Sequence, residues 1–190
     1  MKELSLNILD IAQNSITARA SLIRIDLDET PDTLTIRITD NGCGMSREMV
    51  FSVTDPFCTT RKTRKVGLGI PFYKLAAEQT GGSLSIESKP EAEYPSDHGT
   101  VVTAVFKTDS IDFTPLGDIV STIGTLIQGM GNIDLIFTHK FGNFTVTLDT
   151  TELKETLGSD IPLSTPDVLV WINEFLKEQY NQLEKERNQQ

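Results

Sequence analysis

Asp40-Asn41-Gly42-Cys43-Gly44-Met45 decides how the rest of this chain is read. Immediately before it, Leu34–Thr39 (LTIRIT) is apolar at alternate positions, the pattern of a half-buried strand. The six residues therefore end a strand and open a glycine-hinged loop. A carboxylate fixed at such a strand end can accept a hydrogen bond from a flat polar ligand edge, and the two glycines let the backbone bend closely around it. Downstream, Gly67-Leu68-Gly69 introduces an apolar helix, and upstream a helix carries Asp10 and Asn14. Together the three blocks describe a nucleotide site.

Working outward, the spacing predicts a first helix from about residue 4 to 19, with Leu4, Ile8, Ile11, Ala12 and Ser15 on one face. Asn7, Asp10 and Asn14 follow i, i+3, i+7 and share the opposite stripe. Asn and Asp are mediocre helix formers, so an idle surface would favour Glu, Lys or Gln there. Leu22–Leu27 and Leu34–Thr39 read as a hairpin around Pro31 and Asp32. Ser46–Val53 reads as a short helix. The helix after Gly67 takes Pro71 early and ends at Gly81-Gly82. Strands follow at residues 83–88 and 100–106.

From about Asp109 a second unit begins. Leu116, Ile119, Val120, Ile123, Leu126, Ile127 and Met130 have helical spacing. Two strands flank Phe141-Gly142-Asn143, and Asp149 with Glu152 suggests a capped short helix. A last helix starts at Thr165-Pro166-Asp167, with Val168, Trp171, Ile172, Phe175 and Leu176 as its packing stripe and fraying expected beyond about Asn181. The class that follows is α+β: a two-layer α/β sandwich, its mixed sheet covered by helices on one face, with a small C-terminal αββαα extension. The expected division is a nucleotide-binding domain over residues 1–108 and an extension over 109–190, a possible partner-docking module.

Charge narrows the function. The net charge of −10 argues against nucleic acid as the main ligand. Residues 1–108 hold 12 basic and 14 acidic residues, net −2; residues 109–190 hold 5 and 13, net −8. Against that background Arg61, Lys62, Arg64 and Lys65 form a basic run leading into Gly67-Leu68-Gly69, where phosphates could sit. No apolar run reaches a membrane span and the start lacks a signal-peptide pattern, so a cytoplasmic location and no membrane partner are expected. Cys43 and Cys58 make neither a disulfide framework nor a metal cluster.

These blocks resemble the GHKL ATPase superfamily, which includes DNA gyrase, histidine kinases and MutL mismatch-repair proteins. The resemblance covers roughly residues 1–108. Residues 9–45 look most like the MutL branch (Asn14-Ser15, Ala18, Ala20, then DNGCGM). Residues 55–106 look like the histidine-kinase branch: Asp55-Pro56-Phe57, a threonine- and arginine-rich loop, Gly67-Leu68-Gly69-Ile70, Gly81-Gly82, Ser88 and Gly99-Thr100. The resemblance implies ATP or ADP with Mg²⁺ as ligands. Asn14 matches the Mg²⁺-binding asparagine, and Asp40 the acceptor for the adenine amine. Gly42 and Gly44, with Met45 beside them, match the turn that shapes the adenine pocket, and Thr100 the threonine behind it. Gly67, Leu68 and Gly69 match the glycine turn against the phosphates. Thr59, Thr60, Arg61, Lys62 and Lys65 fall in the lid over the triphosphate.

Asp10 stands where the MutL, gyrase and anti-sigma-kinase branches place a glutamate general base, and it is one methylene shorter. His98 and His139 lack the context of a phosphoacceptor, and with the resemblance beginning at residue 1 no self-phosphorylation on histidine is expected. A regulatory Mg²⁺–ATP-binding protein is therefore expected, acting as a trans-acting protein kinase or weak ATPase on an unidentified protein partner. The alternatives are an ATP/ADP-sensing module without catalysis and a MutL-like ATPase clamp, which the acidic tail disfavours.

Overall fold

A computed structural model describes residues 3–54, 69–158 and 161–187. Its order is α1 (Leu4–Thr17), β1 (Leu22–Glu29), β2 (Thr33–Asp40), α2 (Arg47–Thr54), α3 (Gly69–Gln79), β3 (Ser83–Lys89) and β4 (Gly99–Lys107). Then come α4 (Ile119–Gly129), β5 (Asp134–Phe141), β6 (Phe144–Asp149), α5 (Thr150–Leu157) and α6 (Pro166–Arg187). One six-stranded sheet runs β3-β4-β2-β1-β5-β6. The β1–β5 pair is parallel and the other four are antiparallel, so the sheet is mixed.

Strand alternation explains the two layers. Ile23, Ile25 and Leu27, Leu34, Ile36 and Ile38, and Val102, Ala104 and Phe106 point to one face and are buried under helices. Arg24 and Arg37, from the intervening positions, are exposed on the other. The same alternation continues into β5 and β6 through Leu135, Phe137, Val146 and Leu148, so one core spans the whole sheet.

The helix α1 buries Leu4, Ile8, Ile11, Ala12 and Ser15, as its spacing predicts. Its opposite stripe is not uniform. Asp10 and Asn14 are exposed, but Asn7 is buried, and its Nδ2 is without a hydrogen-bond partner. The first-turn donors of Leu4 and Ser5 go to the carbonyls of Pro115 (3.0 Å) and Leu116 (2.8 Å). That pairing stitches the connection after β4 to the start of the chain. The helix ends in a Schellman pairing: Ala20 N–H donates to Ser15 O and Arg19 N–H to Ile16 O. Arg19 occupies the left-handed position with φ 60°, where glycine is the usual residue.

The last helix departs from the sequence reading in two ways. It runs unbroken to Arg187, because Leu183 is buried and Arg187 pairs with Glu29 of β1. Its buried stripe is Ile172, Leu176 and Leu183, while Trp171 and Phe175 face solvent. Gln179 explains the orientation. Its side chain accepts from Thr147 N–H and donates to Thr147 O, both at 3.0 Å, covering the edge of β6. No described helix is long and apolar enough to cross a membrane.

Candidate functional site

The strand end at Asp40 is held from two sides. Ser15 Oγ of α1 donates to Asp40 Oδ2 at 2.7 Å, and Gly42 N–H donates to Oδ1 at 2.9 Å. Both oxygens are thus oriented while each keeps a further lone pair for a ligand. Asn41 plays a different part: its Oδ1 accepts from the N–H groups of Ser21 and Leu22, tying the loop to the start of β1.

The loop after Asp40 needs its glycines. A Cβ on Gly42 would sit 2.8 Å from both Ala18 Cβ and Ala18 O. Gly44 has φ +62°, and a Cβ there would meet the Lys89 carbonyl oxygen at 2.0 Å. The loop is also stitched by backbone bonds, Cys43 N–H to Ala18 O and Glu91 N–H to Cys43 O, each 2.9 Å. His98 Nδ1 lies 2.6 Å from Gly42 O, so that nitrogen carries the proton and is engaged with the loop.

Thr100 of β4 is opposite Asp40 of β2 on one side and Ser88 of β3 on the other. Its Oγ1 lies 2.9 Å from Ser88 Oγ, which accepts from Met45 N–H at 2.8 Å and lies 3.0 Å from the Gly99 carbonyl. Met45 and Thr100 are therefore joined through Ser88. Two hydroxyls, Ser15 and Ser88, are absent from the site residues that the sequence suggests. Ser15 has a legible sign, a hydroxyl on an otherwise apolar helix face.

The other end of the site is built where α1 meets α3. A Cβ on Gly69, the first residue of α3, would lie 3.2 Å from Asp10 Cβ and 3.3 Å from Asp10 Oδ2. Asp10 thus lies against the start of α3 as described, and the dipole at a helix N-terminus attracts anions. Asn14 is one turn along the same helix, and Ser15 beside it holds Asp40. From Ser15 to Asp10 the helix advances about 7.5 Å. It therefore links the Asp40 carboxylate at the end of β2 with the start of α3.

Asp10, Asn14, Asp40, Gly42, Gly44, Met45, Gly69 and Thr100 are all placed by this frame, Asn14 by helix geometry alone. Thr59, Thr60, Arg61, Lys62, Lys65, Gly67 and Leu68 lie outside the described residues. No cluster of three His, Cys, Asp or Glu side chains able to hold a metal occurs among the described residues. The Asn14 carbonyl oxygen suits a hard cation that takes its remaining ligands from phosphates and water.

The model for histidine kinase-, DNA gyrase B- and HSP90-like ATPases matches residues 1–110. The chain belongs to this family. Sensor histidine kinase RegB of Cereibacter sphaeroides is 26% identical over 127 residues, covering 57% of this chain and 28% of RegB. Signal transduction histidine-protein kinase AtoS of Escherichia coli (strain K12) is 35% identical over 91 residues, 47% of this chain and 15% of AtoS. The chain thus spans less than a third of either relative, and what it shares with these sensor kinases is the ATPase domain. Among solved structures, the N-terminal domain of a DNA repair protein matches with a TM-score of 0.54 at 15% identity. That match covers 78% of this chain and 53% of that one, a likeness of fold.

Proposed function

We propose that this chain is a Mg²⁺–ATP-binding regulatory protein whose histidine-kinase-like ATPase domain acts as a trans-acting protein kinase or weak ATPase. The observation that carries the proposal is the helix α1 itself. Through Ser15 it holds Asp40 for the adenine amine, and through Asp10 it meets the N-terminus of α3, where phosphates would lie. In this reading Gly42 and Gly44 admit the adenine edge, and Thr100 backs it. Asn14 would hold Mg²⁺, which neutralises phosphate charge when bound. Asp10 takes the proton from a water or a partner's hydroxyl as that oxygen bonds to the γ-phosphorus. The bond from phosphorus to the β,γ-bridging oxygen breaks, and ADP leaves. Residues 1–108 would supply this site and residues 109–190 the surface that meets a partner.

A second reading, an ATP/ADP-sensing module with little turnover, is favoured by the short Asp10 side chain lying against Gly69. Turnover of γ-labelled ATP by the parent and by Asp10→Asn separates them. A general base contributes about 10²–10⁴-fold, so turnover should fall by that much while ATP still binds. Turnover unchanged by the substitution would overturn Asp10 as base and select the sensing module.

A further inference from the structure

Among the described residues, the outer face of α6 carries exposed apolar side chains on an element that the nucleotide site does not use. Val170 is 56% exposed, Trp171 49% and Phe175 37%. The rings of Trp171 and Phe175 stack, with centroids 5.3 Å apart and planes 9° from parallel. Asp167, Trp171, Glu174, Phe175 and Glu178 follow i, i+4, i+7, i+8, i+11, so three exposed carboxylates share one side of the helix with the two rings. Asp118 at the start of α4 is held below its ordinary range chiefly by the hydrogen bonds from Ser121, with a smaller contribution from the Lys177 charge, so one lysine stands beside the three carboxylates of this stripe.

A stacked aromatic pair held at a helix surface is preorganised apolar area, the kind that anchors interfaces when a partner covers it. The acidic border decides what can cover it. A second copy would bring carboxylates against carboxylates. Nucleic acid and anionic lipid would meet the same repulsion. We infer that the Trp171–Phe175 face of α6 docks a basic, amphipathic segment of a partner protein. An apolar side chain of that segment rests on the ring pair, and its lysines or arginines meet Asp167, Glu174 and Glu178. An arginine over the Trp171 ring gains a cation–π contact as well.

Trp171 is the only tryptophan of the chain, so its emission reports this face directly. The probe is a synthetic leucine–lysine amphipathic helix without tryptophan, titrated into the full chain, with a leucine–glutamate counterpart as control. The expected result is a saturable blue shift with the lysine peptide and none with the glutamate peptide. Affinity should fall about tenfold or more in Phe175→Ala and in Glu174→Lys/Glu178→Lys. The charge reversal touches only exposed side chains, so it tests the face even if Phe175→Ala loosens the helix. Glu87→Lys/Glu93→Lys, an equal charge change elsewhere, should leave the titration as it was. The inference is overturned by no shift with the lysine peptide, or by an equal shift with the glutamate peptide. It is equally overturned if both charge reversals weaken binding alike, or if sedimentation shows that a second copy covers Trp171 without peptide.

Discussion

Replacing Asp40 by asparagine removes one charge and one acceptor while leaving the frame that holds the side chain. Gly42 N–H can only donate, so the amide oxygen of the new side chain must turn toward it. The amide nitrogen then faces Ser15 Oγ, whose hydroxyl can rotate to accept. Both frame contacts survive in this arrangement, and the fold should melt within a few degrees of the parent. The ligand side is different. An adenine amine that found a carboxylate lone pair now meets an N–H donor, which costs a charge-assisted bond, about 1.5–3 kcal/mol. That is roughly a 10- to 150-fold loss of affinity for both ATP and ADP. Calorimetry with each nucleotide, beside a melting curve, measures both halves. Unchanged affinity in a folded variant would refute the assignment of Asp40 to the adenine amine. Lost affinity that merely follows a collapsed melting temperature would refute the account of its frame.

Three further outcomes rest on local geometry. Gly44→Ala should destabilise the chain by about 2 kcal/mol or more, because it combines a left-handed φ with a Cβ on the Lys89 carbonyl; denaturant midpoints read it. Arg19→Gly should stabilise by up to about 1 kcal/mol, since a Schellman position at φ 60° strains an L side chain more than glycine adds to unfolded-state entropy. A lower midpoint would show that the Arg19 side chain contributes more than its backbone costs. Burial alone would raise the Glu29 carboxyl, but the hydrogen bond with His139 and the Arg187 charge outweigh it and hold it below the ordinary 4.5. Its stabilisation is therefore full at higher pH and lost as pH falls below that value. Glu29→Gln should lower stability at neutral pH and flatten the acid limb of a stability–pH curve.

Local pattern made the first half of the chain legible and tertiary choice hid parts of the second. The alternation of residues 34–39 and the helical spacing of residues 4–15 are intrinsic to the sequence, and both stand in the fold. Which side of α6 turns inward is not intrinsic. A stripe through Trp171 and Phe175 and one through Ile172, Leu176 and Leu183 both have helical periodicity. Gln179 on the β6 edge and Arg187 on Glu29 choose between them, and neither partner is near in sequence. The same long-range pair keeps the charged end of α6 helical. Asn7 shares a stripe with its polar neighbours, yet it lies buried, because position along a helix face does not say where a neighbouring element ends. At the site, the carboxylate and glycines are visible as a motif. Ser15 and Ser88 act by supporting other residues: Ser15 shows as a hydroxyl on an apolar helix face, whereas the link of Ser88 to Met45 and Thr100 depends on strand pairing between residues distant in sequence.

Calorimetric titration of ATP into the parent chain and into Asn14→Ala, each with and without Mg²⁺, tests the central claim most directly. Tight binding of ATP by the parent with Mg²⁺, weaker binding without it, and a variant that binds ATP but no longer responds to the metal are the expected results. Absence of ATP binding by the parent, or an Asn14→Ala response to Mg²⁺ equal to the parent's, would contradict it.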